Sequence, residues 1–332
     1  MRIITILFIT LNLLTFLAPL LSHADERYRK FTDPKKGFEM PKEWVENPIK
    51  YEDSYKDSDM VVTLDQHLYP GLVDLIKEYS EKNNIKISVQ EGTCGISAGM
   101  IRDKKADIAG YCCPAGEADR LPGIRFHTVG ISPILLLVHP DNKIDNVTLQ
   151  EARDIFAGNI VKWSSLKSES GESGANAVIL PMGRLHCKAR PGHWRLLLDN
   201  EEDFSLSLQE VGSIPEMIKS VADNKNVIGY ETMWMVQRYG YAGKVKSLKI
   251  DGHDPNDKDA LLKTKYPLYR TYAISTWEDE KTKNPHTDKF VEYILENVKN
   301  IDKRFNITDA SSLRDEGWVF YQNELIGEPE KD

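Results

Sequence analysis

The residues best suited to chemistry in this chain are its four cysteines, Cys94, Cys112, Cys113 and Cys187. Thiolates, particularly together with imidazoles, bind Cu(I), Zn(II) and other soft ions or metalloids. The spacing contains no Cys-x-x-Cys pair and no zinc-finger pattern, so it does not by itself select a metal. Three alternatives therefore stay open: structural disulfides, a thiol-ligated metal or metalloid, and a redox-active pair.

A second group of candidates is basic. Arg184, Lys188 and Arg190 fall within seven positions of one another. They either clamp an oxyanion through bidentate hydrogen bonds or form a solvated basic loop. Glu231 either faces a ligand cleft or caps the helix that follows it, and we favour the cap.

The first 24 residues predict a cleaved secretory signal peptide. Arg2 precedes an apolar run at residues 3–21, and Ser22 and Ala24 place small residues at the −3 and −1 positions of a cleavage site. An N-terminal membrane anchor would not explain this boundary. No later stretch approaches the roughly 20 apolar residues that a membrane helix needs. We therefore expect a soluble, exported, periplasmic protein, in a compartment where disulfides can form.

Composition and charge narrow the class of protein. The chain has 332 residues, of which 41% are hydrophobic and 28% charged, as in a globular protein. At roughly 150 residues per domain, this length predicts two domains. The formal net charge is −8 and no run of Lys or Arg stands out, which argues against nucleic acid as a main partner.

Alternating patterns along the chain predict an α/β fold. Apolar strand patterns occupy residues 60–64, 85–89 and 108–111, and helical spacing separates them. Capping boxes at residues 148–151 and 213–216 open later helices. Strands and helices that alternate in this way form mainly parallel sheets covered by helices. Residues 25–57 lack this periodicity and are interpreted as an irregular N-terminal arm.

Several segments stand in a distinctive order between residues 58 and 300. They are a strand, loop and helix at 60–79, a Gly/Ser-rich loop at 89–100, an Ala-Asp-Ile-Ala-Gly strand at 106–110, the segment 148–163 ending in Phe-Ala-Gly-Asn-Ile-Val-Lys-Trp, and the segments 227–231 and 266–270. Their order resembles that of periplasmic solute-binding proteins of the phosphate-binding type. These are class II bilobed binding proteins related to ABC transport.

The resemblance implies a two-lobed PBP-like fold, with a mainly parallel sheet flanked by helices in each lobe and crossover strands between the lobes. Lobe 1 would comprise residues 58–136 and 267–332, and lobe 2 residues 137–266, with crossovers near 131–138 and 266–275. By the same resemblance, a ligand would lie in an interlobe cleft. The implied ligand-binding residues are Asp65, Gln66, His67, Thr93, Cys94, Gly95, Cys112, Cys113, Arg184, His186, Cys187, Lys188, Arg190 and His193.

The ligand loops depart from the phosphate pattern of this family. The segment 191–193 reads Pro-Gly-His where Ser-Gly-Thr is expected, and Cys94 stands where a Ser is usual. The pair Cys112-Cys113 replaces a Ser/Arg or Ser/Asp pair. Because hydroxyl donors and one N–H are lost, we expect ordinary phosphate to bind weakly or not at all. The implied metal ligands are the thiols of Cys94, Cys112, Cys113 and Cys187.

We therefore expect a solute-binding protein without catalytic activity. Its ligand would be a soft metal, a metalloid or an oxyanion other than phosphate, and its partner an ABC permease. No cofactor is expected beyond a soft metal ion, and no membrane insertion after signal cleavage. Two alternatives remain: an accessory subunit of an exported redox complex, and a cysteine-based redox or metal-handling protein.

Overall fold

The computed structural model describes residues 31, 33–185, 197–198 and 201–330, so the predicted signal peptide lies outside the described residues. The strands are β1 (Met60–Asp65), β2 (Ile87–Gly92), β3 (Ile108–Tyr111), β4 (Ile124–Pro133), β5 (Leu135–Val138), β6 (Asn146–Val147), β7 (Leu180–Gly183), β8 (Gln209–Glu210), β9 (Val227–Glu231), β10 (Lys246–Ser247), β11 (Lys249–Ile250), β12 (Tyr269–Trp277), β13 (Thr308–Asp309), β14 (Val319–Tyr321) and β15 (Glu324–Gly327). The α-helices are α1 (Lys42–Glu46), α2 (Tyr69–Asn83), α3 (Cys94–Arg102), α4 (Leu149–Ala157), α5 (Ile214–Asp223), α6 (Met233–Arg238), α7 (Lys258–Leu262), α8 (Thr287–Asn297) and α9 (Ala310–Asp315).

The strands form two main sheets, each with its own apolar core. The first sheet has the order β13-β4-β12-β3-β1-β2, and the second has the order β10-β5-β9-β7-β8. Buried side chains of α2, α3 and α8 belong to the core of the first sheet, and those of α4 and α5 to the core of the second. The predicted α/β class with two sheets flanked by helices is confirmed.

Both sheets are mixed rather than mainly parallel, which corrects one detail of the prediction. Strand β1 pairs in parallel with β2 and β3, whereas β12 runs antiparallel to β3 and β4. In the second sheet β7 pairs in parallel with β8 and β9, whereas β5 runs antiparallel to β9 and β10. Parallel neighbours need a returning connection, usually a helix. Strands β5 and β12 instead enter their sheets directly from the other sheet.

Two crossover segments join the sheets near the predicted positions. Strand β4 ends at Pro133 and β5 begins at Leu135, so a single residue separates strands of different sheets. The Ile134 N–H donates to the carbonyl of Leu268 (3.0 Å), and the Tyr266 hydroxyl donates to the carbonyl of Ile134 (2.7 Å). The two crossovers therefore hold each other by hydrogen bonds.

The predicted capping residues begin α4 and α5. The Thr148 hydroxyl accepts from the Glu151 N–H (3.0 Å), and the Glu151 carboxylate accepts from the Thr148 N–H (2.7 Å). The Ser213 hydroxyl likewise accepts from the Glu216 N–H (3.4 Å), but the Glu216 carboxylate accepts from the Gly212 N–H (3.2 Å), so the reciprocal capping box predicted at 213–216 does not form. These side chains satisfy N–H groups that the first turn leaves without intrahelical partners.

The segment 33–57 packs on the first sheet. The Trp44 indole N–H donates to the carbonyl of Arg102 (2.6 Å), and the Tyr51 hydroxyl donates to the carboxylate of Asp107 (2.5 Å). The same carboxylate accepts from the Val61 N–H (2.7 Å) in β1. Across the described ranges, no helix has the length and apolar character needed to span a membrane.

Strands β4 and β13 approach each other closely at Gly130. A Cβ at this position would lie 2.2 Å from the carbonyl oxygen of Thr308. No real side chain tolerates such a distance to a backbone atom, so this position requires glycine.

His127 is a buried neutral histidine in β4. Its Nε2 donates to the hydroxyl of Thr276 (3.0 Å), and its Nδ1 accepts from the side-chain amide of Asn323 (3.3 Å). Burial, with the charge of Arg125, lowers the pKa of His127 to about 4. The imidazole is therefore uncharged at neutral pH.

Candidate functional site

The candidate site lies where strand ends of the two sheets meet. In the first sheet Asp65 ends β1, Cys94 begins α3 just after β2, and Cys112 follows β3. In the second sheet Arg184 follows β7, and Glu231 ends β9. All of these side chains are buried. Ligands of open α/β sheets bind outside the carboxyl ends of the strands, which is where these residues lie.

Two cysteines and one carboxylate converge on the side of the first sheet. The sulfurs of Cys94 and Cys112 lie 3.0 Å apart, which is a thiol hydrogen bond rather than a disulfide. The Cys94 thiol also lies 3.5 Å from Oδ2 of Asp65 and accepts from the Cys112 N–H (3.2 Å). One ligand atom from each of these three residues falls within 4.8 Å of the other two. We call Asp65, Cys94 and Cys112 the sulfur cluster.

Cationic side chains connect the sulfur cluster to Glu231 of the second sheet. Arg270 in β12 donates through Nη1 to the sulfur of Cys112 (3.2 Å), and its Nη2 lies 3.5 Å from Oε1 of Glu231. His67 lies 3.0 Å from Asp65 through Nδ1 and 3.0 Å from Glu231 through Nε2. The imidazole therefore bridges carboxylates that belong to different sheets.

The environment favours negative charge on Cys112. Hydrogen bonds from Cys113 and Cys94, with the charge of Arg270, lower the pKa of the Cys112 thiol well below its usual value despite its burial. The hydrogen bond to Cys112 and burial together raise the pKa of Cys94 well above its usual value. The environment therefore favours a thiolate on Cys112 that accepts hydrogen bonds from the neighbouring thiols.

The carboxylates and the imidazole form a charged network. Burial opposes the charge on Glu231, but His67 and Arg270 outweigh it and hold the pKa of this carboxyl well below its usual range. Burial and Arg270 also oppose protonation of His67, yet Glu231 and Asp65 raise the pKa of the imidazole well above its usual value. Burial, followed by the charge on Cys112, raises the pKa of Asp65.

The structure brings part of the predicted site together. The predicted residues that are buried at the meeting point of the sheets are Asp65, His67, Cys94, Cys112, Cys113 and Arg184. Thr93 is exposed and caps α3 through its hydroxyl, while Gly95 is exposed in the first turn of that helix. Gln66 is half-buried, and its carbonyl accepts from Nη1 of Arg238 (3.0 Å). The predicted residues that lie outside the described residues are His186, Cys187, Lys188, Arg190 and His193.

Two charged residues of the site were missed or misread from the sequence. The cap interpretation of Glu231 is wrong, because the hydroxyl of Thr232 caps α6 by accepting from the Met235 N–H (3.4 Å), while the Glu231 carboxylate bonds His67. Arg270 was recognised only as part of the segment 266–270. The available signal was a single arginine in an otherwise uncharged strand, which the structure shows to be buried along its whole length.

The donor set of the sulfur cluster fits a soft metal ion or metalloid. Its two sulfurs are soft ligands, and the Asp65 carboxylate adds one oxygen. Cys94 and Cys112 belong to the predicted set of four cysteines, Asp65 is an addition to it, and Cys187 lies outside the described residues. Cys113 hydrogen-bonds Cys112 at its side.

Sequence comparison with curated proteins finds phosphate-binding proteins at low identity. The chain is 23% identical to the phosphate-binding protein PstS 2 of Streptococcus agalactiae over 126 residues, which is 37% of this chain and 42% of that protein. It thus spans less than half the length of that relative. It is also 23% identical to the phosphate-binding protein PstS of Bacillus subtilis over 65% of this chain and 68% of that protein.

Solved structures share the fold. A putative phosphate ABC transporter substrate-binding protein with bound phosphate from Clostridium perfringens has a TM-score of 0.61 at 17% identity, over 76% of this chain and 99% of that one. An ABC-type phosphate transport receptor from Vibrio cholerae has a TM-score of 0.56 at 17% identity, over 79% of this chain and all (100%) of that one. The family model for the PBP superfamily domain matches residues 56–298. The resemblance drawn from the motif order is confirmed, and this chain belongs to the PBP superfamily.

Proposed function

We propose that this protein is an exported, periplasmic solute-binding protein that holds a soft metal ion or metalloid between its two sheets and passes it to an ABC permease. The observation that carries the proposal is the sulfur cluster, in which ligand atoms of Asp65, Cys94 and Cys112 lie within 4.8 Å of one another. Its position at strand ends of a PBP-superfamily fold supports a role in ligand capture. Capture without catalysis is the activity proposed.

The charges around the sulfur cluster support a thiophilic ligand. A soft ion binds thiolates, and the lowered pKa of Cys112 favours the thiolate form of this side chain. The nearby positive charge of Arg270 is offset by Glu231, 3.5 Å from the guanidinium. Binding of a metal to the second thiol, Cys94, would release its proton.

Ordinary phosphate is not the ligand we propose, although the named relatives bind it. The predicted loss of the Ser-Gly-Thr segment removes hydroxyl donors that a phosphate would need. A phosphate dianion would also meet the negative charges of Glu231 and the Cys112 thiolate. Each missing hydrogen bond to a charged group weakens binding by roughly 1.5–3 kcal/mol.

The test is thiol titration and elemental analysis of protein purified anaerobically, followed by titration with Cd²⁺ and with inorganic phosphate. We expect reactive thiols, stoichiometric binding of Cd²⁺ by the reduced protein, and negligible heat on addition of phosphate. Submicromolar phosphate binding without Cd²⁺ binding would overturn the proposal.

A second candidate function is thiol–disulfide exchange, which the 3.0 Å separation of the Cys94 and Cys112 sulfurs favours. A disulfide partner would accept the two electrons as the Cys112 thiolate and the Cys94 thiol form a disulfide, and the Cys94 proton together with one from solvent would protonate the two sulfurs released by the partner. Reduction of a disulfide substrate by the metal-free, reduced protein would select this function over ligand capture.

A further inference from the structure

The carboxylate of Glu231 is surrounded by positively charged groups from both sheets. Its Oε1 lies 3.0 Å from Nε2 of His67 and accepts from the Thr232 N–H (2.8 Å). Nη2 of Arg270 lies 3.5 Å from the same oxygen, and Nη1 of Arg184 lies 3.9 Å from Oε2. The side chain is buried, with 1% of the Glu231 surface exposed. We call the side chains of His67, Arg184 and Arg270, together with the Thr232 N–H, the cationic ring.

The cationic ring is the donor set of an oxyanion site. Two guanidinium groups, a protonatable imidazole and a backbone N–H are the groups that proteins direct at phosphate or carboxylate. Two of these cations are shared, because His67 also contacts Asp65 and Arg270 also donates to the sulfur of Cys112, so Glu231 is compensated jointly with the sulfur cluster.

Arg270 provides independent evidence that the cationic ring has hydrogen-bond donors without acceptors. Its Nε and Nη2 are buried and find no hydrogen-bond acceptor in the part of the chain that the structure describes. A buried guanidinium nitrogen without an acceptor is costly, and such groups call for an explanation. A tetrahedral oxyanion has four acceptor oxygens, whereas the carboxylate of Glu231 has two.

We infer that Glu231 is a built-in anion that takes the place of a bound oxyanion and determines the specificity of the site against phosphate and sulfate. The inference rests on the proposed function only in locating the ligand between the two sheets. A free oxyanion would have to enter the cationic ring beside a fixed negative charge. Repulsion between like charges about 4 Å apart weakens binding on the order of 10²–10³-fold in a protein medium.

The experiment is calorimetric titration of reduced Glu231→Ala and Glu231→Gln proteins with inorganic phosphate and with sulfate. We expect Glu231→Ala to bind at least one of them on the order of 10²-fold more tightly than the unaltered protein. Glu231→Gln removes the charge but keeps the volume, so we expect a smaller gain. If Glu231→Ala does not fold, as judged by circular dichroism and thermal unfolding, Glu231→Gln carries the test.

Glu91→Ala is the matched control. Glu91 in β2 pairs with Arg238 in α6 (2.7 Å), so it also joins the two sheets, but its pair is partly exposed and lies outside the cationic ring. We expect no gain in phosphate or sulfate binding from this substitution. An equal gain from Glu91→Ala would show that loosening of the two sheets is responsible and would overturn the inference.

Folded Glu231→Ala and Glu231→Gln proteins that gain no affinity for either anion would also overturn it. The outcome is separate from that of the proposed function, which is decided by Cd²⁺ binding to the unaltered protein. Anion binding gained by Glu231→Ala in a chain that never binds Cd²⁺ would support the role of Glu231 and reject soft-ion capture.

Discussion

Replacement of Cys94 by serine separates the ligand chemistry of the sulfur cluster from its contribution to folding. The thiol lies 3.0 Å from the sulfur of Cys112 and 3.5 Å from the Asp65 carboxylate, and it accepts from the Cys112 N–H (3.2 Å). A serine hydroxyl is slightly smaller and makes the same hydrogen bonds. We therefore expect the free energy of unfolding to change by less than about 1 kcal/mol.

The expected loss of soft-ion affinity is much larger. The cluster offers two sulfurs and one carboxylate oxygen, so Cys94→Ser removes one of two soft ligands. Substitution of a residue that only orients a metal ligand lowers metal affinity by about 10–100-fold. Loss of a direct ligand should cost at least about 100-fold, which corresponds to about 2.7 kcal/mol of binding free energy.

The assay is titration of the reduced proteins with Cd²⁺, followed by calorimetry and by the ultraviolet charge-transfer absorption of sulfur–cadmium bonds. Ca²⁺ serves as the hard-ion control. Asp107→Asn serves as the matched control, because this buried carboxylate of the same sheet bonds Tyr51 and Val61 outside the cluster. A stable Cys94→Ser protein with the full Cd²⁺ affinity would refute the assignment of the sulfur cluster as the ligand site.

Three further predictions concern the rest of the molecule. Folding lowers the pKa of His127 from 6.5 to about 4. Because the unfolded chain therefore binds a proton at higher pH than the folded chain, the free energy of unfolding should fall by up to about 3 kcal/mol as the pH drops from about 6.5 to about 4. Urea unfolding at several pH values should show a smaller fall for His127→Gln. Gly130→Ala should destabilise the fold by about 1–3 kcal/mol, because the added Cβ would collide with the carbonyl oxygen of Thr308. Gly99→Ala is the contrasting substitution in α3, where the added Cβ meets no atom within 4 Å. It should stabilise the fold by about 0.5–1 kcal/mol in the same urea assay. Oxidation of the metal-free protein by a disulfide reagent should join Cys94 to Cys112, seen as a crosslinked peptide in mass spectrometry, and should abolish Cd²⁺ binding; unchanged binding after crosslinking would contradict this.

Local patterns in the sequence were sufficient for the elements that position the site. The apolar run of β1 is buried on both faces, and the hydroxyls of Thr148 and Ser213 cap α4 and α5 where predicted, with a complete capping box at Thr148. These signals depend on neighbours within one or two turns, which the sequence displays directly. The order of the motifs along the chain was sufficient to identify the correct family.

The prediction of sheet pairing was less complete for a physical reason. Alternating strands and helices indicate parallel neighbours, but β5 and β12 cross directly from one sheet to the other and pair antiparallel. A strand pattern records burial and does not record the direction from which the strand enters its sheet. That direction is set by contacts over long sequence separations, such as the one between Ile134 and Leu268.

The order of motifs along the chain, through the family resemblance, was enough to name Asp65, Cys94 and Cys112 as candidates. That Glu231 and Arg270 complete the site follows from the folded chain alone. Glu231 was interpreted as a cap because negatively charged side chains beside a helix N-terminus interact favourably with it. Its actual partners, His67 and Arg270, are distant in sequence, and charge interactions between buried groups depend on distances that only the folded chain fixes.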